Sequence, residues 1–203
     1  MKYLEKIQGL LPLGYLYLIL LGLLKESLLY YPLGINIVDY SSITDILISP
    51  ISDMTSNPIL IIITVVVIIV FFIIQTILVQ NSHTKWAKKV LGENRFSDET
   101  SKRDIQKALL PVFILFVAFE LLAIFIGMGL GRGREIVKKI NNNELHYHHK
   151  AIFNSGAPEN IHIIGINSSY CFYVSRGNKN VKIAPVGTIN NLEILKQKKN
   201  DEK

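Results

Sequence analysis

The chain has 203 residues, 49% of them apolar, and a net charge of +6, enough for one or two modest domains. Its one cysteine, Cys171, excludes an intrachain disulfide and a cysteine-based zinc cluster, and reads as a small buried hydrophobe in a strand. The informative feature is placement: long apolar runs alternate with charged stretches, and basic segments beside such runs are orientation or lipid-surface signals before they are nucleic-acid sites.

The first apolar run, Leu10–Leu24, reaches spanning length when extended through Tyr30 and Tyr31. Lys25 and Glu26 lie near its end, where long charged side chains snorkel, and the tyrosines suit the headgroup level. The rival reading is a cleaved signal peptide. Against it stand the missing small-residue cleavage site and the continuation into Leu28 and Leu29. Residues 25–57 are acidic, with Lys25 against Glu26, Asp39, Asp45 and Asp53. Within them Ile43, Ile46, Leu47 and Pro50 are spaced for a short amphipathic helix over 42–52, with Ser42 as cap, lying on a membrane surface. A flexible loop is the alternative.

Ile59–Val79 contains no formal charge and is long enough to cross a hydrocarbon core of ~30 Å. Asn57 and Pro58 supply an N-cap and a first-turn proline, which predicts a span over 58–80. Residues 81–107 form a polar connection with seven bases and four acids, and Trp86 beside Lys85, Lys88 and Lys89 reads as an interfacial anchor. A third span is expected over 109–131, bracketed by Lys102, Arg103 and Lys107 before it and Arg132 and Arg134 after it. Its helix is expected to run on until Asn141, Asn142 and Asn143 break it.

From Leu145 the apolar period becomes two. Candidate strands are Leu145–Phe153, Ile161–Ile166, Tyr170–Ser175, Val181–Ala184 and Leu192–Leu195, with Arg176–Asn180 as a hairpin turn. The fold class is therefore an α+β membrane protein. About three transmembrane helices (spans about 10–31, 58–80 and 109–131, within a domain 1–140) precede a small β-rich soluble domain over 145–196, a barrel or curled sheet, and 197–203 reads as a solvated tail. Counting flanking bases, nine against five, favours an external C-terminal domain, and a fourth crossing would reverse that.

Glu120 falls near the middle of the third span, where an ionised carboxylate costs at least ~2.5 kcal/mol. It shares a helix face with Ile124, Gly127 and Gly131, and Ala123, Gly127 and Gly131 form a small-residue ladder that lets helices approach closely. One reading brings copies of the span together around Glu120 as a cation or proton path. The other makes Glu120 a packing device, hydrogen-bonded to Tyr15 or Tyr17.

His146, His148 and His162 are metal candidates by alternation, a solvated strand edge being the alternative; no resident cofactor is expected. Lys150, Arg176, Lys179 and Lys182 are candidates for an anionic ligand or a lipid headgroup. Asn167-Ser168-Ser169 fits a glycosylation acceptor. No glycine-rich phosphate loop, paired-carboxylate site or serine nucleophile elbow is present in the sequence, so no enzyme is expected. Stacking aromatics at nucleic-acid-binding spacing are also missing, so no nucleic-acid partner is expected.

In layout, a few spans joined to a compact C-terminal module, the chain resembles the small multi-span membrane effectors of bacterial anti-phage immune systems. Gly34-Ile35-Asn36-Ile37 and Asp39-Tyr40 after the first span are similar to segments of small bacterial membrane proteins. The resemblance implies an oligomeric pore or ion channel in the cell (inner) membrane, self-associating through the third span. Its β domain would sense a small molecule or a protein partner. The alternative function is a non-catalytic tether presenting a β module to a larger complex.

Overall fold

A computed structural model describes residues 2–91, 101–154 and 156–195; the expected tail, 197–203, lies outside the described residues. Five helices, α1 (Lys2–Tyr30), α2 (Ile43–Ser56), α3 (Pro58–Gln80), α4 (Lys85–Leu91) and α5 (Lys102–Asn141), precede five strands. The strands are β1 (His149–Phe153), β2 (Glu159–Ile166), β3 (Tyr170–Ser175), β4 (Lys182–Pro185) and β5 (Ile189–Ile194). Three helices, in α1, α3 and α5, are long and apolar enough to cross a membrane. The chain divides into two compact units, Ile51–Ile124 and the remainder, Met1–Pro50 with Phe125–Lys203.

In the Ile51–Ile124 unit α3 pairs with the first part of α5, and α4 lies between them in the chain. Asn57 caps α3 by accepting the Ile59 N–H at 3.2 Å, and Pro58 occupies the first turn. Within α3, Thr64 and Thr76 return their hydroxyls to the carbonyls of Leu60 and Phe72, so their polar groups are satisfied inside the helix. Phe71 lies against Phe113 and Phe116 of α5, with tilted rings and centroids 4.3 and 5.4 Å apart. Val79 packs on Ile105, which makes the pairing antiparallel.

In the other unit, α2 begins at a capping box. Ser42 Oγ accepts the Asp45 N–H at 3.1 Å and Asp45 Oδ2 accepts the Ser42 N–H at 3.0 Å. Helix α2 thus spans Ile43–Ser56, not a loop and longer than 42–52. Its expected apolar face is split: Ile46 and Pro50 are buried in the protein and Leu47 partly so, while Ile43 is exposed, as are Ile48 and Ile51 outside that face. Pro50 lacks the N–H that would bond the Ile46 carbonyl. The Gly22 backbone of α1 occupies that vacated flank so closely that a Cβ there would overlap the Ile46 oxygen.

Helix α5 ends in a Schellman motif. Asn143 adopts a left-handed φ of 58°, the Asn143 N–H bonds the Ile140 carbonyl at 3.2 Å, and the Glu144 N–H bonds that of Lys139 at 2.9 Å. The asparagine run therefore stops the helix as expected. Leu145, next in the chain, is buried with Ile140 instead of opening a strand, so β1 starts at His149 and not at Leu145.

The sheet is antiparallel with the order β4-β3-β2-β1-β5. A meander of four strands is extended when the chain passes through a 3-10 turn, Val186–Thr188, and adds β5 beside β1. The edges β4 and β5 are not neighbours in the sheet, so the sheet is open and not the closed barrel that was one of the two expected forms. Gly177, at φ 83°, makes the β3–β4 turn, which the Asn178 N–H closes on the Ser175 carbonyl at 3.0 Å.

Strand β3 is buried on both faces. Cys171 and Tyr173 join Ala151 and Ile161 in one cluster. Phe172 and Val174 join Leu29, Tyr30, Ile37 and Ile140 in the other. The second cluster ties the sheet to the ends of α1 and α5.

Candidate functional site

The β2–β3 turn and α1 are each joined to α2 by polar contacts. Asn167 sets the turn: its Oδ1 accepts the N–H groups of Ser169 and Tyr170 at 3.0 and 2.7 Å. Its Nδ2 donates to the Tyr40 carbonyl at 2.9 Å and to Ser41 Oγ at 3.2 Å. With both ends of this amide engaged, Asn167 is not presented as a glycan acceptor. Ser168 donates its N–H to Asp45 Oδ1 at 3.1 Å and its hydroxyl to Oδ2 at 2.9 Å.

Asp45 therefore accepts from Ser42 and Ser168 at once, fixing the first turn of α2 to the sheet. Burial pushes its pKa up, but the hydrogen bonds from Ser42 and then Ser168 outweigh that and hold the carboxyl below its ordinary value.

One turn further along, Ser49 of α2 donates to Glu26 Oε1 of α1 and accepts from Lys25 Nζ at 3.1 Å, while Lys25 Nζ pairs with Glu26 at 2.7 Å. Lys25 is 5% exposed. This is a part-buried ion pair sharing a hydroxyl, and not the snorkelled pair expected at a helix end. Removing one partner of such a group is far costlier than its net contribution suggests, because the other charge is left buried.

The glycines that bring helices together are Gly129 and Gly133. A Cβ at Gly129 would overlap the Lys25 carbonyl, and one at Gly133 would lie 2.5 Å from that of Leu29. Gly129-x-x-x-Gly133 is a second small-residue ladder two positions along from the expected one. Ala123, Gly127 and Gly131 are exposed, and a Cβ at Gly127 or Gly131 would touch nothing. Glu120 is partly buried, and its carboxylate makes no hydrogen bond or ion pair among the described residues.

The four basic candidates do not converge. Arg176 and Lys182 line a shallow hollow of about 490 Å³ beside Glu159. There Lys182 Nζ pairs with Glu159 at 3.1 Å, and Ser175, then Lys182, hold that carboxyl below its usual range against the effect of burial. Lys179 instead donates to the Asn141 carbonyl at the end of α5, at 3.1 Å. Lys150 sits in β1 between Asn160 and Glu193.

His146 and His148 precede β1, with rings stacked 5.8 Å apart, and His162 Nδ1 meets the His146 carbonyl at 2.8 Å. Among the described residues no group of three or more histidine, cysteine or acidic side chains is set to hold a metal ion. Burial pushes the Cys171 thiol up to about 11, as befits a packed side chain and not a nucleophile.

No protein-family model, curated protein or solved structure matches the chain. The fold defines a class only: an α+β protein with three helices long and apolar enough to cross a membrane, followed by a five-stranded antiparallel sheet.

Proposed function

We propose that the chain is a multi-pass membrane protein whose C-terminal sheet senses a ligand or partner and passes the event to its spans through α2. The observation that carries this reading is the double anchorage of α2. Its first turn is bonded to the β2–β3 turn through Asp45 and Ser168, and its middle to α1 through Ser49 and Glu26. Its end continues through one residue, Asn57, into α3. A displacement of residues 167–169 acts on α2 directly, and α2 cannot move without disturbing a part-buried charge pair or the start of a span.

Residence in the bilayer is supported by the exposed apolar surface of α3 and α5. Ile62, Val66, Ile69 and Ile73 on α3, and Ile114, Leu115 and Phe119 on α5, are about half exposed or more. Water would make such a surface very costly, whereas lipid does not. In this reading Glu120 lies on the permeation path of an assembly of several copies, and the protein is a membrane effector of the antiviral-defence type.

The test is membrane potential in cells expressing the chain, exposed to candidate stimuli. Wild type is expected to depolarise, Glu120→Gln to abolish or alter the current, and Asp45→Ala to uncouple the stimulus while the protein stays in the membrane. Unchanged permeability in all three under every stimulus would remove the pore and leave the tether. The shared core of the sheet and the ends of α1 and α5 suits a rigidly presented module equally well.

A further inference from the structure

Where the ends of α1 and α5 meet the β3–β4 hairpin, the surface carries an open hollow of about 410 Å³. Apolar side chains form part of its walls: Leu33 and Ile35 from the segment after α1, Val137 and Ile140 from α5, and Val181 from the hairpin. Its rim is polar, formed by Asn141, Lys179 and Asn180. Lys179 uses one of its three donors on the Asn141 carbonyl. Helical spacing places Arg134 and Lys138 on the same face of α5 as Val137 and Asn141. Both cations are exposed, and neither has an ion-pair or hydrogen-bond partner among the described residues. Their neighbour Lys139, by contrast, is paired with Glu135 at 2.6 Å.

We infer that this hollow binds an acidic phospholipid of the surrounding membrane. The phosphate would lie among Arg134, Lys138 and Lys179, and the glycerol and first acyl carbons against Leu33, Val137 and Val181. Three observations favour a lipid over a soluble anion. A cation, Lys179, stands at the hollow beside apolar side chains, and Arg134 and Lys138 share the α5 face that lines it, as an amphiphile requires and an inorganic ion does not. The hollow lies at the ends of two helices long and apolar enough to be spans, beside Tyr31, which is 79% exposed, a residue suited to the headgroup level. A second hollow of about 360 Å³ shares Gly34 and Ile35 and extends the apolar lining along Tyr31 and Ile37. Both volumes suit a headgroup with the start of its chains, the remainder lying in the bilayer. A cation cluster next to a membrane is also where anionic headgroups concentrate.

This inference rests on the membrane part of the proposed function and not on sensing or permeation. The experiment uses full-length protein extracted from membranes in neutral detergent, with phosphatidylglycerol or phosphatidylcholine added, bound lipid read by native mass spectrometry and thermal stabilisation read in parallel. Wild type is expected to retain phosphatidylglycerol in preference to phosphatidylcholine. The triple variant Arg134→Gln, Lys138→Gln, Lys179→Gln should bind it about a hundredfold more weakly, on a scale of about fivefold per basic residue at an anionic surface.

Val181→Trp, which fills the hollow and keeps every charge, should also lose retention. Lys150→Gln with Arg176→Gln should not. Equal retention of the two lipids, or an unaffected triple variant, overturns the site. Loss in the triple variant with none in Val181→Trp would place the headgroup on an open surface and overturns the hollow. Stabilisation by inorganic phosphate equal to that by phosphatidylglycerol overturns the lipid source. A chain that needs no detergent fails the membrane reading itself, a result distinct from all of these.

Discussion

His149 opens β1 with its Nδ1 buried and without a hydrogen-bond partner among the described residues. Burial first, and then the nearby His148 and His162, hold its pKa below 6.5. The folded protein therefore binds this proton less readily than the unfolded chain does, so stability falls as pH drops below the unfolded value. Glu159 and Asp45 act in a different window. Their folded pKa values are depressed, so their contribution is full above the ordinary carboxylate value and is lost only as pH falls through the folded value. Between about pH 7.5 and 5.5 these carboxylate contributions are thus constant, which leaves the His149 effect to be seen against them. Thermal midpoints in detergent should decline over that interval, and His149→Gln should flatten the decline. An equally steep decline in the variant would show that another group carries it. At this scale the sequence was partly legible: Cys171 reads as a packed strand residue and is 0% exposed. The histidine burial was not, because Leu145 packs beneath the end of α5 and postpones the strand, which removes the alternation that 146 and 148 had suggested.

Among the elements, the two glycine ladders of α5 give a direct contrast. Spacing says that glycines four apart share a helix face, but it does not say which face meets the neighbour. Gly129 and Gly133 meet α1, whereas Gly127 and Gly131, two positions away, point elsewhere. Gly129→Leu should therefore destabilise the monomer by about 1–3 kcal/mol, the usual cost of overpacking a close contact. Gly127→Leu should leave it within about 0.5 kcal/mol, as surface substitutions do. Denaturant titration in mixed micelles measures both, and a larger loss at Gly127 would contradict the observed crossing. Helix α2 shows the same limit of sequence reading. Its existence and its Ser42 cap were legible from local chemistry. Its orientation was not, because the contact that decides it joins Gly22 to a carbonyl that Pro50, in α2, leaves without a helical partner.

For the molecule as a whole, the apolar helices were the most legible feature, since length and absence of charge are read without knowing any contact. Helix α5 continues past the apolar part to Asn141, so its last turns carry Arg134, Lys138 and the cap beside the sheet. The merging of the sheet with residues 29–40 was hidden, because Ile35 and Ile37 sit in a stretch too short for any periodicity. If α1, α3 and α5 each cross a bilayer, Lys85 and Asn190 face opposite sides of it. Single cysteines introduced at Lys85 and at Asn190, both exposed, test this in sealed vesicles with a membrane-impermeant thiol reagent, buried Cys171 being left in place as an internal control. Each site is expected to be labelled from one side only, and the two sides to differ. Labelling of both from the same side, or a chain that stays in solution without vesicles, would contradict the three crossings.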